Sequence, residues 1–161
     1  MKTLNLKDFG AKPDHGEDAA PALARAAEAC GAGGVRLVIP PGRYTVTAEG
    51  CPIRPVVTSN NDSGLKRVAF PLRNAEDVEI EAEGVEWVLR GRLTPLWFLG
   101  CTQVRLRGLT VRNERSSTSE ADVLAVTEDH VDLRFRPGFP VSVAPAPKRP
   151  FSRLILPGET F

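Results

Sequence analysis

Two carboxylates a few ångströms apart are what sugar hydrolysis requires, and Glu79 and Glu81 offer such a pair. Two residues apart on a strand, they share a face at roughly 6–7 Å. That overlaps the separation at which one carboxyl acts as acid and the other as base in hydrolysis with inversion. The opposing consideration is charge. A sequence repeat sets Arg105 and Arg107 against them. Arginines there hold both groups ionised, whereas a general acid needs its proton retained at working pH. A solvated charge ladder is therefore the expected arrangement. Asp14, Glu17 and Asp18 form a second acidic cluster ahead of a helix. The helix dipole alone favours acids there. His15 has no Ser or Cys partner in any nucleophile motif. Gly31-Ala32-Gly33-Gly34 runs from helix into strand, the reverse of a phosphate-binding loop, and reads as a helix stop.

Two further stretches suit hydroxyl-rich ligands. Ser59-Asn60-Asn61-Asp62-Ser63 is a run of side-chain hydrogen-bonders between β segments. Arg90-Gly91-Arg92 is followed by Trp97. Arginine and an aromatic ring fit a sugar groove. An Asx turn and a core tryptophan are the alternative readings of the same residues. Cys30, Cys51 and Cys101 include no C-x-x-C spacing and are read as reduced and structural. With only His15 and His130 to join them, no metal site is expected, and no cofactor is implied.

These residues must be positioned by one early helix and many short strands. Asp18 is the N-cap candidate and Pro21 fits the first turn. Leu23, Ala26, Ala27 and Cys30 then recur at helical spacing before the glycines. Beyond them the period changes to two. Strands are expected around Val35–Ile39, Tyr44–Thr47, Lys66–Leu72, Val78–Ile80, Glu86–Leu89, Leu96–Leu99, Val104–Leu106 and Leu109–Val111. Absence of intervening helices excludes a doubly wound α/β fold. Asp77-Val78-Glu79-Ile80-Glu81 matches Gln103-Val104-Arg105-Leu106-Arg107, 26 residues on, and Val131-Asp132-Leu133-Arg134-Phe135 a further 27 on. A period in the twenties is that of a β-solenoid coil. Stacking would set Val78 on Val104, Ile80 on Leu106, Glu79 opposite Arg105 and Glu81 opposite Arg107, about 4.8 Å apart.

Arg115 to Glu120 is a polar, Ser-rich linker; Val123–Thr127 and His130–Phe135 are β segments. Pro140, Pro145, Pro147 and Pro150 forbid a regular central strand, and Leu154-Ile155-Leu156 has no evident partner. Such a tail reads as a cut. Two domains are thus expected, residues 1–115 and a β-rich extension, 116–161. Across the 161 residues, 21 Lys and Arg balance 20 Asp and Glu, which gives no reason to expect nucleic acid or an anionic membrane as partner. No apolar run reaches a membrane span, and Met1 to Gly10 has no apolar leader core. The compartment stays open: secreted or periplasmic if a leader has been removed, otherwise cytoplasmic.

Asp8-Phe9-Gly10-Ala11, the Ala-rich helix and Ile39-Pro40-Pro41-Gly42-Arg43-Tyr44 resemble the N-terminal cap of pectin-lyase-like β-helix proteins. This implies a mainly β chain forming a right-handed parallel β-helix with a capping α-helix. A narrower resemblance covers Val57 to Glu114. Thr58-Ser59-Asn60-Asn61-Asp62, Arg67-Val68-Ala69-Phe70-Pro71-Leu72 and Arg90-Gly91-Arg92-Leu93-Thr94-Pro95 are similar to glycoside hydrolase family 110, inverting exo-α-1,3-galactosidases with inserted β-barrels. That family usually has His at Asn61 and His-Gly-Arg-Met at Arg90-Gly91-Arg92-Leu93. Its catalytic aspartates lie downstream and transfer to no residue here. The resemblance implies a terminal α-galactoside as substrate and the start of an inserted antiparallel barrel after Arg115. Asn60, Asp62 and Arg92 are the expected substrate contacts. Other pectin-lyase-fold hydrolases or lyases, and a non-catalytic glycan-binding or structural module, are the rival functions. An uncovered solenoid end would favour self-association.

Overall fold

The computed structural model describes residues 1–57, 63–115 and 119–137, and the backbone of two strands at 142–145 and 152–155. The chain divides into two compact units, Met1–Glu114 and Arg115–Phe161.

The first unit is built on a parallel sheet. Strand β1 (Lys2–Asn5) leads through a 3₁₀ turn (Leu6–Phe9) to helix α1 (Ala20–Cys30), then to β2 (Val35–Val38) and β3 (Gly42–Thr47). Strands β4 (Ile53–Val56), β5 (Gly64–Arg73), β6 (Glu76–Arg90), β7 (Thr94–Leu99) and β8 (Thr102–Asn113) complete it. β6 is the spine of the sheet. β2 pairs with its first half and β3 with its second, both parallel. β8 runs parallel along both halves, and β1 pairs with β2. Alternation explains the pattern: Val78, Ile80, Val85, Trp87 and Leu89 turn inward and are buried, while Glu79, Glu81 and Glu86 turn outward.

A bulge bends β6 and β8 together, for Gly108 alone stands opposite Ala82–Gly84. Its φ is 77°, and a Cβ there would lie 2.5 Å from the Cα of Glu83, so only glycine fits. The residues just before the mutually registered Val35, Val78 and Val104, namely Gly34, Asp77 and Gln103, all have positive φ, between 55° and 59°. The same corner therefore recurs at each layer.

A second, three-stranded sheet places β7 parallel to β5 and β4 antiparallel to β5. Phe70 and Leu72 face the core with Val35, Leu37, Tyr44, Val46 and Trp87. Each such side chain contributes about 1.5–3 kcal/mol by leaving water. α1 packs on β5 through Ala22, Leu23, Ala26, Ala27 and Cys30. Its small residues let the backbones approach closely. The formal cap position is Ala19, not Asp18, although Asp18 Oδ1 accepts from the Ala20 N–H at 3.0 Å.

In the second unit, β9 (Ala121–Val126) pairs antiparallel with β10 (Val131–Phe135), and β11 (Ser142–Pro145) antiparallel with β12 (Ser152–Ile155). The partner missing from the sequence for residues 154–155 is thus β11.

The expected right-handed parallel β-helix with an inserted antiparallel barrel is corrected by these sheets. The described strands form four separate small sheets, of which three contain antiparallel pairs, and make no solenoid. Two causes stand out. β4 folds back on β5 as a hairpin partner. The third copy of the repeat, β10, joins β9 across a short turn, where Thr127 Oγ1 lies 2.8 Å from His130 Nδ1. Closing that turn costs less chain entropy than reaching a strand 27 residues away. The register of the first two copies is as expected: Val78 pairs with Val104, Glu79 with Arg105, Ile80 with Leu106 and Glu81 with Arg107.

Candidate functional site

The Glu79–Glu81 pair stands on the outer face of β6, and geometry removes it from acid–base work. Arg36 from β2 donates to Glu79 Oε2 at 3.1 Å, and Arg105 from β8 donates to Oε1 at 3.3 Å. Glu81 lies 3.5 Å from Arg36 Nε. Past the bulge the pattern recurs. Arg43 donates to Glu86 Oε2 at 2.7 Å, and Arg112 bonds its other oxygen. These two bonds, Arg43 first, hold the Glu86 carboxyl below its ordinary range. At the end of the sheet Arg90 pairs with Glu114 at 2.8 Å. The outer face is therefore a basic, acidic, basic sequence of layers. Arg36 and Arg43 went unnoticed in the sequence. Their signal was there, since Val35-Arg36-Leu37 has the same alternation as Val78-Glu79-Ile80.

The acidic cluster before α1 is committed to structure. Asp14 Oδ1 accepts from the Arg43 N–H at 3.0 Å, while the Asp14 N–H donates to the Arg43 carbonyl at 2.8 Å. Asp18 Oδ1 accepts from the Thr47 N–H at 2.9 Å, and Oδ2 from the Thr47 hydroxyl at 2.6 Å. Together they fasten the start of the helix to β3. His15 and Glu17 are exposed.

The two buried thiols are equally unsuited to nucleophilic work. Burial pushes Cys30 up to about 11. Burial, then the charge of Asp18, pushes Cys51 up to about 12. Cys51 Sγ donates to the Thr47 carbonyl at 3.2 Å. All three cysteines are free. Among the described residues no group of three His, Cys, Asp or Glu could hold a metal ion.

What remains is the end of the sheet where β3, β6 and β8 finish. Here Arg92 is exposed in the connection from β6 to β7. Its neighbour Gly91, at φ 81°, approaches Ala48 after β3, and the Ala48 N–H donates to the Arg90 carbonyl at 2.9 Å. Arg67 reaches from β5 to the Ala48 carbonyl at 3.1 Å. Two connections and strand β5 are thus tied beside the exposed Arg92 guanidinium. Arg67 escaped the sequence reading because a strand arginine carries no spacing signal for a bond to a loop. Trp97 sits on β7 in register with Pro71, half-buried and outside the core cluster against which Leu96 packs. Asn60 and Asp62 lie outside the described residues, so the structure groups neither with Arg92.

No protein-family model matches the chain. It is similar to α-1,3-galactosidase A of Shewanella woodyi, 32% identical over 163 residues, which is 99% of this chain and 26% of the relative. It is similar also to α-1,3-galactosidase B of Bacteroides thetaiotaomicron, 29% identical over 82% of this chain and 22% of the relative. α-1,3-Galactosidase B of Akkermansia muciniphila is 32% identical over 83% of this chain and 18% of the relative. The chain thus spans about a quarter or less of the length of these relatives. With nearly every residue inside the first of these alignments, the chain is a relative of the N-terminal region of the α-1,3-galactosidases, glycoside hydrolase family 110.

Proposed function

We propose that this chain is the N-terminal part of a glycoside hydrolase that removes terminal α-1,3-linked galactose. The similarity along 99% of the chain to an α-1,3-galactosidase is the observation that carries this reading. Within such an enzyme the chain acts as scaffold and as one wall of the sugar groove. Arg92 is the contact supported by position, being exposed where the connections after β3 and β6 meet. Asn60 and Asp62 enter through the family resemblance of Thr58–Asp62. The acid and base of an inverting reaction come from elsewhere in the enzyme. The acid pairs singled out here are occupied, Glu79 by two arginines and Asp14 and Asp18 by backbone N–H groups.

The test is a chimera in which this chain replaces the matching region of the Shewanella woodyi enzyme. Galactose release from an α-1,3-linked galactosyl disaccharide is measured for the chimera and for the chain alone. Release is expected from the chimera only. Arg92→Ala should raise KM about tenfold with kcat little changed, as loss of a contact made equally in ground and transition states does. Turnover by the chain alone overturns the assignment of scaffold. A folded but inactive chimera overturns the galactosidase reading.

A further inference from the structure

We propose that Arg67 is a positioning residue for Arg92, acting through the backbone of Ala48; the inference rests on the reading of Arg92 as a contact to the sugar. Arg92 lies between two strands and outside the register of both. β3 and β8 accompany β6 no further than Arg90, and β7 joins β5 only from Thr94. The last backbone tie before Arg92 is the bond from the Ala48 N–H to the Arg90 carbonyl, at 2.9 Å. Gly91 then turns at φ 81°, so close to Ala48 that a Cβ on it would lie 3.0 Å from the Ala48 Cβ. The Arg90 side chain is drawn to the end of β8, its Nε donating to Glu114 at 2.8 Å. The position of Ala48 therefore sets where the chain enters Arg92.

Ala48 is in turn fixed by β5. Its carbonyl accepts from the Cys51 N–H at 3.1 Å, which closes the turn, and from Arg67 Nη1, also at 3.1 Å. The first bond already satisfies this carbonyl, so the second is not needed to bury it. The next residue of β5, Val68, donates its N–H to the Pro52 carbonyl at 3.0 Å. β5 thus grips the turn from Ala48 to Pro52 at both ends, one through backbone and the other through a single guanidinium. A charged donor bonds a carbonyl more strongly than a neutral one, and the planar fork gives that bond a direction. Ala48 is only 6% exposed, so the bond is sheltered from competing water. A shift of about 1 Å in a group that orients a substrate is enough to be felt in the kinetics.

Two measurements test this. In the full chain, amide exchange followed by NMR compares Arg67→Met with the parent. Methionine keeps an apolar stem and removes the donors. The Ala48 N–H should exchange at least about tenfold faster, while the amides of Val78 to Ile80 keep their rates. Arg67→Lys, which still offers a donor, should restore most of the protection. In the chimera described above, Arg67→Met should raise KM about threefold with kcat little changed. Added to Arg92→Ala it should raise KM no further, since a group that acts only through another then has nothing left to position. If Arg67→Met fails to fold, the same measurements are made on Arg67→Gln, whose side chain is too short to reach Ala48. Unchanged exchange at Ala48, acceleration shared by all amides, or a KM effect that adds in full to that of Arg92→Ala overturns the inference alone. A chimera that is inactive, or whose KM ignores Arg92→Ala, overturns the reading of Arg92 and the inference with it.

Discussion

Replacing Asp18 tests how the helix is fixed to the sheet. Its carboxylate accepts three hydrogen bonds, from the Ala20 N–H, the Thr47 N–H and the Thr47 hydroxyl, at 3.0, 2.9 and 2.6 Å. Bonds to a charged acceptor contribute about 1.5–3 kcal/mol each when measured singly. Three that share one part-buried carboxylate overlap, so Asp18→Ala should cost about 3 kcal/mol rather than their sum. For a chain of this size that lowers Tm by about 10 °C. Asp18→Asn should cost only about 1 kcal/mol. Its remaining oxygen can still take both N–H groups, and its amide can donate to the Thr47 hydroxyl. Urea unfolding followed by the fluorescence of buried Trp87 gives both values. The reasoning is refuted if Asp18→Ala lies within about 0.5 kcal/mol of the parent chain. It is refuted equally if Asn proves as damaging as Ala, since charge rather than geometry would then be what the site needs.

Other consequences can be measured alongside. Gly108→Ala should unfold the first unit or destabilise it by several times the effect of Gly34→Ala. Both have positive φ, but only Gly108 has backbone within 3 Å of the new Cβ, whereas Gly34 has open space; circular dichroism melts compare them. Glu86 has a folded-state pKa below its unfolded value, so its contribution is present above the unfolded pKa and fades as pH falls through the folded one. Glu86→Gln should therefore lower stability slightly at neutral pH, where the contribution is present, and flatten the acid limb of a stability-against-pH curve. Cys101, half-buried, should react with a thiol reagent first, and Cys30 and Cys51 only on unfolding, as counted by mass spectrometry under native and denaturing conditions.

Much of this was legible because stacking repeats an alternation. Val78-Glu79-Ile80 and Val104-Arg105-Leu106 have the same apolar pattern with opposite charges, and the pairing keeps the residue register that this match suggests. The helix was legible from Pro21 and the glycines that follow Cys30. Direction and sheet membership were not. Val131-Asp132-Leu133 has the same alternation, yet it turns back on β9, because period two says which face a side chain takes and nothing about the neighbour's sense. β4 was hidden because Ile53-Arg54-Pro55-Val56 has a proline inside an already short run. The candidate site was legible only as residue types. Arg92 is exposed as a ligand contact must be, but the tie between its loop and Ala48 rests on backbone bonds that no side-chain spacing announces.

β6 also governs the order of events during synthesis. β2 and β3 each find their partner 43 residues later in the chain. A ribosome adds roughly 5–20 residues per second, so these strands wait about 2–9 s after emerging before β6 can join them. Over that interval their apolar faces have β1, the alanine-rich helix and, towards its end, β4 and β5 for company. A codon-level slowdown between residues 48 and 75 would lengthen the wait, and a chaperone that shields short extended segments would matter most in that window.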